Sequence, residues 1–308
     1  MSPTDSRWNR GLLWALMSPL FLGVVPITAK IAYQLGVDVV TVAALRTILA
    51  AAVLWAIILL FAKQLAISST PAMVSSMLVG AINGVGSLFY YSSISRIDAS
   101  LGQLINITYL IFVTILLRLL GQRISKLTLG RMGLAIVAIY LLTQGGTAAP
   151  DWVGVGFMLI AALSYAIQLV FSQRIMVDIP APTMAVYAMT GMAAVVGLAW
   201  LVVRPPLGHI AGGGWAAVGF MGLATAASRL TLFLGVKHLG SLQAALLSVG
   251  EMLVTVILAM VWLDETLTMM QIAGALLLIT SILLVKYEQN IPNFDWWAIL
   301  YKRWAQRG

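Results

Sequence analysis

Ionisable side chains inside long apolar stretches are the residues best able to do chemistry in this sequence. Glu251 is the only carboxylate near the middle of such a stretch, and Arg46 and Arg229 are the only bases well away from the ends of one. A charged group in a bilayer costs at least about 2.5 to 3.5 kcal/mol, so each should face a partner or a water-filled cavity. Glu251 is expected either to carry a proton or bind a substrate ammonium group, or to form a structural ion pair with Arg229. Arg46 lies toward the outer third of its stretch and is expected to snorkel to the interface.

Uncharged polar and aromatic side chains occur at similar depth on several apolar stretches. A central pocket would require them to converge from different helices. Amides are the most informative of them, because an amide in hydrocarbon needs a hydrogen-bond partner. The candidate substrate-binding residues are Ser18, Asn83, Asn106, Tyr109, Tyr165, Gln168 and Ser248. The small residues Gly80, Gly84 and Gly86 predict a close contact between helices.

Ten apolar runs are long enough to hold these residues across a bilayer. The chain is 61% hydrophobic and 9% charged, which excludes a water-exposed domain, and runs of about 20 residues fit a hydrocarbon layer of roughly 30 Å. The sequence therefore predicts an all-α polytopic membrane protein with ten transmembrane helices. Pro19 and Pro26 predict a kink in the first, which serves packing or lines a cavity. The predicted spans are 11–32, 39–62, 71–94, 101–120, 127–144, 153–175, 183–203, 213–236, 241–262 and 268–287.

The second half of the chain resembles the first. Residues 241–283 align with residues 100–142 after a shift of 141 positions, and each half holds five predicted spans. An odd number of spans makes the second half enter the membrane from the opposite side, so the halves are predicted to be inverted repeats. With the N-terminus inside, thirteen Lys and Arg residues flank the cytoplasmic ends and three flank the outer ends. This asymmetry predicts that both termini are cytoplasmic.

The predicted domain boundaries follow from these halves. Residues 1–10 form a cytoplasmic N-terminus, residues 11–144 the first five-helix repeat and residues 145–152 a connecting loop. Residues 153–287 form the second repeat. Residues 288–308 combine tryptophans with basic side chains, as a short amphipathic helix at the cytoplasmic interface would.

Several functional classes lack their sequence signatures. The chain has no cysteine, no phosphate-binding loop and no hydrolase motif of the HExxH or GxSxG type. His209 and His238 are too far apart to suggest a metal site. We therefore expect no enzyme activity, no cofactor and no metal. The net charge of +8 comes from basic residues beside the spans, so nucleic-acid binding is not expected, and movement of a solute remains.

Three segments carry a resemblance to a known family. VAALRTILAA in the second span, VTILLRLLGQRISKLTLGRMG in the fourth and fifth, and GEMLVTVILAMVWLDETLTMMQIAG in the ninth and tenth resemble the drug/metabolite transporter superfamily, EamA-type branch. Glu251 matches the first residue of the family's Glu-Pro pair, although Met252 replaces the proline. The family's Gly-Glu pair is replaced by Gly121-Gln122 in the first copy and by Asp264-Glu265 in the second.

Within that branch the chain most resembles the YddG-like amino-acid exporters, which place polar and aromatic residues around a central cavity at the positions of Asn106, Tyr109 and Tyr165. The resemblance implies a secondary transporter of the cell inner membrane. We expect it to function as a monomer, with an oligomer left as the alternative. It would export amino acids, aromatic or otherwise neutral, or similar small metabolites by alternating access. Proton coupling through Glu251 and simple facilitation both remain open.

Two other kinds of function are left as alternatives. A drug or nucleotide-sugar carrier of the same superfamily ranks lower, because nucleotide sugars are anionic and the expected mid-depth groups include few cations beyond Arg229. A channel or a membrane protein that transports nothing is the alternative of another class.

Overall fold

Ten apolar helical segments make up the part of the chain that the structure, a computed structural model, describes. This part comprises residues 14, 16–120, 126–144, 151–177, 179–208, 210–239 and 249–284. The predicted N-terminus, the amphipathic tail, Ser248 and most of the connecting loop lie outside it. In chain order the segments are α1 Leu16–Gln34, α2 Val39–Phe61, α3 Thr70–Ile94, α4 Ala99–Leu119, α5 Lys126–Gln144, α6 Trp152–Ile175, α7 Ala181–Val203, α8 Gly212–Leu239, α9 Val249–Trp262 and α10 Met269–Leu283.

Seven of these segments are long and apolar enough to cross a membrane: α1 to α4 and α6 to α8. The apolar parts described in α5, α9 and α10 are shorter, at Gly133–Leu142, Gly250–Trp262 and Met269–Ser281. The prediction of an all-helical protein with membrane spans is confirmed. Ten complete crossings remain a prediction.

Local sequence signals set several helix ends. Asp38 caps α2 by accepting hydrogen bonds from the backbone N–H groups of Val40 and Thr41, and Asp151 caps α6 through the N–H of Gly154. Proline occupies the first turn of α3 and of α7, where its missing N–H costs nothing. The turn from α1 to α2 contains Gly36 at a φ of 86°, a conformation that favours glycine.

The outer surface of the helices is apolar. Leu60 and Phe61 at the end of α2 are 73% and 81% exposed, and Leu223 on α8 is 55% exposed. A surface that exposes so many large apolar side chains would be unfavourable in water. They are the expected face toward lipid tails.

The two halves of the chain interleave. Helix α3 packs on α6 and α7, α8 packs on α1 and α2, and α5 packs on α10. The tightest approach is between α3 and α7, where a Cβ on Gly80 would overlap the carbonyl oxygen of Ala188 and one on Gly191 would overlap that of Met77. Glycine at these positions is required by the packing. The predicted helix contact at Gly80, and with it the helix–helix role of the glycine run, is confirmed.

Contacts between helices also give their relative directions. Helix α1 runs parallel to α9, α9 runs antiparallel to α4, and α4 runs parallel to α6, so α1 and α6 point in opposite directions. The contacts that establish these directions are Pro19 with Gly250, Gly23 with Val254, Gln103 with Glu251, Ala99 with Glu265, Gly102 with Met158, and Tyr109 with Tyr165.

Candidate functional site

A cavity with about 510 Å³ of empty space, part of it open to the surroundings, lies between the two halves. Eight helices contribute to its wall. Charged, polar and aromatic side chains converge on it from both halves. The lining residues are Leu22, Val25, Arg46, Asn83, Gly86, Ser87, Tyr90, Tyr91, Asn106, Ala161, Tyr165, Met192, Arg229 and Glu251.

Two helices are interrupted beside the cavity. Helix α1 breaks at Val24, just before Pro26, and residues on both sides of the break line the cavity. Helix α4 has a turn at Ile107 and Thr108, where Ile111 N–H bonds to the carbonyl of Thr108, three residues back. Asn106 precedes this turn and reaches the cavity wall. Interrupted helices at mid-membrane depth are tolerated where they line such a cavity.

Glu251 lies on the cavity wall at the start of α9 and is 6% exposed. Its Oε1 accepts a hydrogen bond of 2.8 Å from Nε2 of Gln103. The side-chain oxygen of Gln103 in turn accepts one of 3.0 Å from the hydroxyl of Tyr90. The chain of donors from Tyr90 through Gln103 therefore orients the carboxylate.

Arg229 lies on α8, the third helix of the half that also contains Glu251, and is also buried. Its Nη1 donates a 3.1 Å hydrogen bond to the side-chain oxygen of Gln168, and its guanidinium lies 5.6 Å from the ring centre of Tyr165. Among the described contacts there is no direct salt bridge between Arg229 and Glu251. The ion pair that the sequence suggested is therefore not formed in this structure, because each group has found another partner.

Arg46 does not snorkel, and that expectation was wrong. The side chain is 3% exposed, lines the cavity, and donates 2.9 Å hydrogen bonds to the hydroxyls of Thr225 and Ser87. Its guanidinium carbon lies 4.5 Å from the ring centre of Tyr91, within cation–π range. Its hydrogen bonds to Ser87 on α3 and Thr225 on α8 hold the side chain in the protein interior.

The predicted substrate-binding residues divide by position. Asn83, Asn106 and Tyr165 reach the cavity wall. Tyr109 packs edge-on against the ring of Tyr165, with ring centres 4.9 Å apart, and Gln168 lies behind Arg229.

Ser18 lies away from the wall. Its hydroxyl bonds to the carbonyl and hydroxyl of Ser228 and joins α1 to α8.

Sequence reasoning missed several side chains that build the site. Ser87, Tyr90 and Tyr91 lie on α3 one to two turns after Asn83, so the helical spacing of polar residues on that span could have found them. Gln103 carried no comparable signal, since its role depends on a carboxylate 148 residues away.

At one end of the bundle, the turn between α9 and α10 contacts the start of α4. The carboxylate of Glu265 accepts hydrogen bonds of 2.9 Å from the backbone N–H groups of Ala99 and Ser100, and one of 2.7 Å from the Ser100 hydroxyl. The neighbouring Asp98 is exposed at the surface. Its pKa is raised by partial desolvation and by the charge of Glu265, while Lys30 opposes the shift. We call this contact the Glu265 latch.

The described residues contain no group of three or more His, Asp or Glu side chains that could hold a metal ion. What the arrangement can do is bind: it offers two cations, one carboxylate and several hydrogen-bonding groups inside a bundle of membrane-length helices. This combination is that of a multi-pass membrane protein with an internal site for a polar solute.

Comparison with known proteins identifies the family within that class. The profile of the EamA-like transporter family matches residues 9–144 and again residues 152–287, so the chain belongs to the EamA-like transporter family and carries two copies of its repeat. It is thus a transporter of small molecules that resides in a lipid bilayer. The resemblance stated from sequence is confirmed at this level.

The individual relatives found by comparison share 28% or less of their sequence with this chain. The uncharacterized transporter sll1319 of Synechocystis sp. is 28% identical over 233 residues, which cover 72% of this chain and 69% of that protein. A protein of known crystal structure aligns with a TM-score of 0.65 at 18% identity, covering 90% of this chain and 96% of that one. This last likeness shows a shared fold.

Proposed function

We propose that the protein is a secondary transporter that exports amino acids or similar small metabolites across the inner membrane by alternating access. One observation carries the proposal: a cavity bordered by helices of both halves has charged side chains of both signs on its wall. An amino acid carries both charges on one small head group. The solute would cross without chemical change.

We further propose ten membrane crossings arranged as two inverted five-helix halves, with both termini cytoplasmic. The opposite directions of α1 and α6 support the inversion, and the excess of basic residues at one set of helix ends supports the orientation. The two halves would then rock about the central cavity.

Glu251 is the proposed coupling residue. It is the only carboxylate on the cavity wall among the described residues, so a proton that travels with or against the solute would bind there. Flux of radiolabelled amino acids in proteoliposomes, measured with and without a pH gradient, tests this. Glu251→Gln should transport at the same rate whether or not the gradient is present, whereas the parent protein should respond to it.

A matched control comes from the turn after α9. Asp264 is exposed and adopts a positive φ of 54°, which asparagine tolerates well, so Asp264→Asn should keep the parent's gradient dependence. Gradient dependence that survives in Glu251→Gln would exclude the coupling role. Flux without gradient dependence in the parent would make the protein a facilitator.

The nucleotide-sugar alternative gains support from Arg46. It ranked low because few cations were expected at mid-depth, yet two buried guanidiniums line the cavity. Counterflow with a radiolabelled panel of amino acids, cationic drugs and nucleotide sugars separates these carriers. A channel would show no counterflow, and a protein that transports nothing would show no uptake.

A further inference from the structure

Both arginines of the cavity have an unused donor. Nε of Arg46 and Nε of Arg229 are buried and have no hydrogen-bond partner within the described structure. Each of these guanidiniums nevertheless has at least one Nη bonded to a side chain of the protein. Buried donors are satisfied in the great majority of cases, because leaving one unpaired is costly. Two unpaired donors on residues of one cavity wall can therefore each donate to an acceptor atom of a bound solute.

The surroundings hold the two guanidiniums rigid. An aromatic ring lies against each one, Tyr91 near Arg46 and Tyr165 near Arg229. Hydroxyl groups fix Arg46, and the amide of Gln168 fixes Arg229. A guanidinium held in this way still offers its Nε–H group to an acceptor. A planar oxyanion fits that edge of the guanidinium, because it can accept from Nε and from a hydrogen of the neighbouring Nη together.

The charge balance of the wall favours the same partner. Two guanidiniums face one carboxylate, Glu251, whose Oε1 already accepts from Gln103. Like charges that lie in a low-dielectric cavity destabilise each other unless they are compensated. A bound anion would bring compensation, and a bound cation would increase the imbalance.

We propose that Arg46 and Arg229 form a carboxylate-binding site and that the transported solute is recognised by its carboxylate group. This inference rests on the proposed function and narrows its substrate class. Two sources share the chemistry: an amino acid, whose ammonium group would then lie toward Glu251, and an organic acid without an amine.

Ligand-induced thermal stabilisation of the full-length protein in nanodiscs tests the site without requiring transport. The probes are phenylalanine and leucine, their primary amides phenylalaninamide and leucinamide, and the amine-free acids 3-phenylpropionate and 4-methylpentanoate. The amino acids should raise the melting temperature, and the amides should not. Stabilisation by the amine-free acids as well would identify organic acids as ligands, and its absence would identify amino acids.

Substitution of the arginines assigns the effect to them. Arg46→Gln and Arg229→Gln should each weaken binding by about tenfold to a hundredfold, which is the loss expected for one charge-assisted hydrogen bond. Arg46→Lys keeps the charge and guards against a folding defect; it should bind more weakly than the parent because lysine lacks the planar fork. Arg96→Gln is the matched control, since Arg96 pairs with Asp151 on the surface.

Two results would overturn the site: equal stabilisation by an amino acid and its amide, or no stabilisation by any of the four carboxylates. Binding that depends on Arg46 and Arg229 in a protein that shows no counterflow would keep the site and reject the proposed transport function. The two ideas therefore fail separately.

Discussion

The Glu265 latch should control access to the cavity from one side of the membrane. It joins the turn after α9 to the first residues of α4, and α9 belongs to the second half while α4 belongs to the first. In the orientation proposed above, this end of the bundle faces the outside. Opening toward the outside would have to break the latch, and Glu265→Gln should make that easier.

The size of the effect follows from the three hydrogen bonds. A hydrogen bond to a charged group contributes about 1.5 to 3 kcal/mol, and glutamine keeps one acceptor oxygen of the two. Glu265 is half-buried, so water replaces part of what is lost. A net loss of about 2 kcal/mol is expected, which shifts the ratio of closed to open protein roughly 30-fold.

The absence of cysteine from the sequence makes the measurement direct. Ala161→Cys would introduce a single thiol on the cavity wall, where Ala161 is 4% exposed. A membrane-impermeant maleimide added from outside should label this thiol at a rate that tracks the open population. Adding Glu265→Gln should accelerate labelling by roughly tenfold or more.

The neighbouring carboxylate supplies the control. Asp264→Asn, placed beside Glu265 in the same turn, should leave labelling unchanged because Asp264 makes none of the three bonds. Equal labelling rates in Ala161→Cys alone and in Ala161→Cys combined with Glu265→Gln would refute the latch. Acceleration only from the opposite side would refute the assigned orientation.

Two further predictions concern packing and pH. Gly80→Ala should force α3 away from α7 and lower the free energy of unfolding by about 1 to 3 kcal/mol. Its melting temperature should be lower than that of the control Gly219→Ala, whose added Cβ meets nothing within 4 Å. Equal melting temperatures would contradict the close approach of the two helices. The raised pKa of Asp98 means that its charged form is disfavoured beside Glu265. Protonation of Asp98 as pH falls through that pKa should therefore favour the closed latch and slow labelling. The effect should fade as pH rises above that pKa. Because the thiol itself reacts more slowly at lower pH, the labelling rate is divided by that of Asp98→Asn at the same pH. This ratio should fall as pH falls through the pKa of Asp98, and a constant ratio would contradict the role of Asp98.

Much of the architecture could be predicted because hydrocarbon imposes a simple rule. Long apolar runs must be helices, and close helix contacts need small side chains, so the helices and the contact at Gly80 followed from residue types alone. The duplication also followed, because both copies keep the same order of apolar and polar stretches.

The cavity was harder to predict because depth along a helix does not say which side a residue faces. Arg46 shows this clearly: its distance from the interface suggested snorkelling, but Thr225 and Ser87 turn it inward. The partner of Glu251 was missed for a related reason. Arg229 was favoured by charge, whereas Gln103 reaches the carboxylate because α4 and α9 pack antiparallel, and only tertiary structure reveals that pairing.

The interleaving of the halves has a consequence for how the protein is made. Since α3 packs on α6 and α7, and α5 on α10, the first five helices leave the ribosome before most of their packing partners exist. Helix faces that are buried in the complete protein therefore contact lipid until the second half is made. During that time Arg46 lacks its hydrogen bond to the hydroxyl of Thr225. The helices can therefore pack into the final bundle only after the second half has been synthesised. Until then the bilayer solvates the helices of the first half.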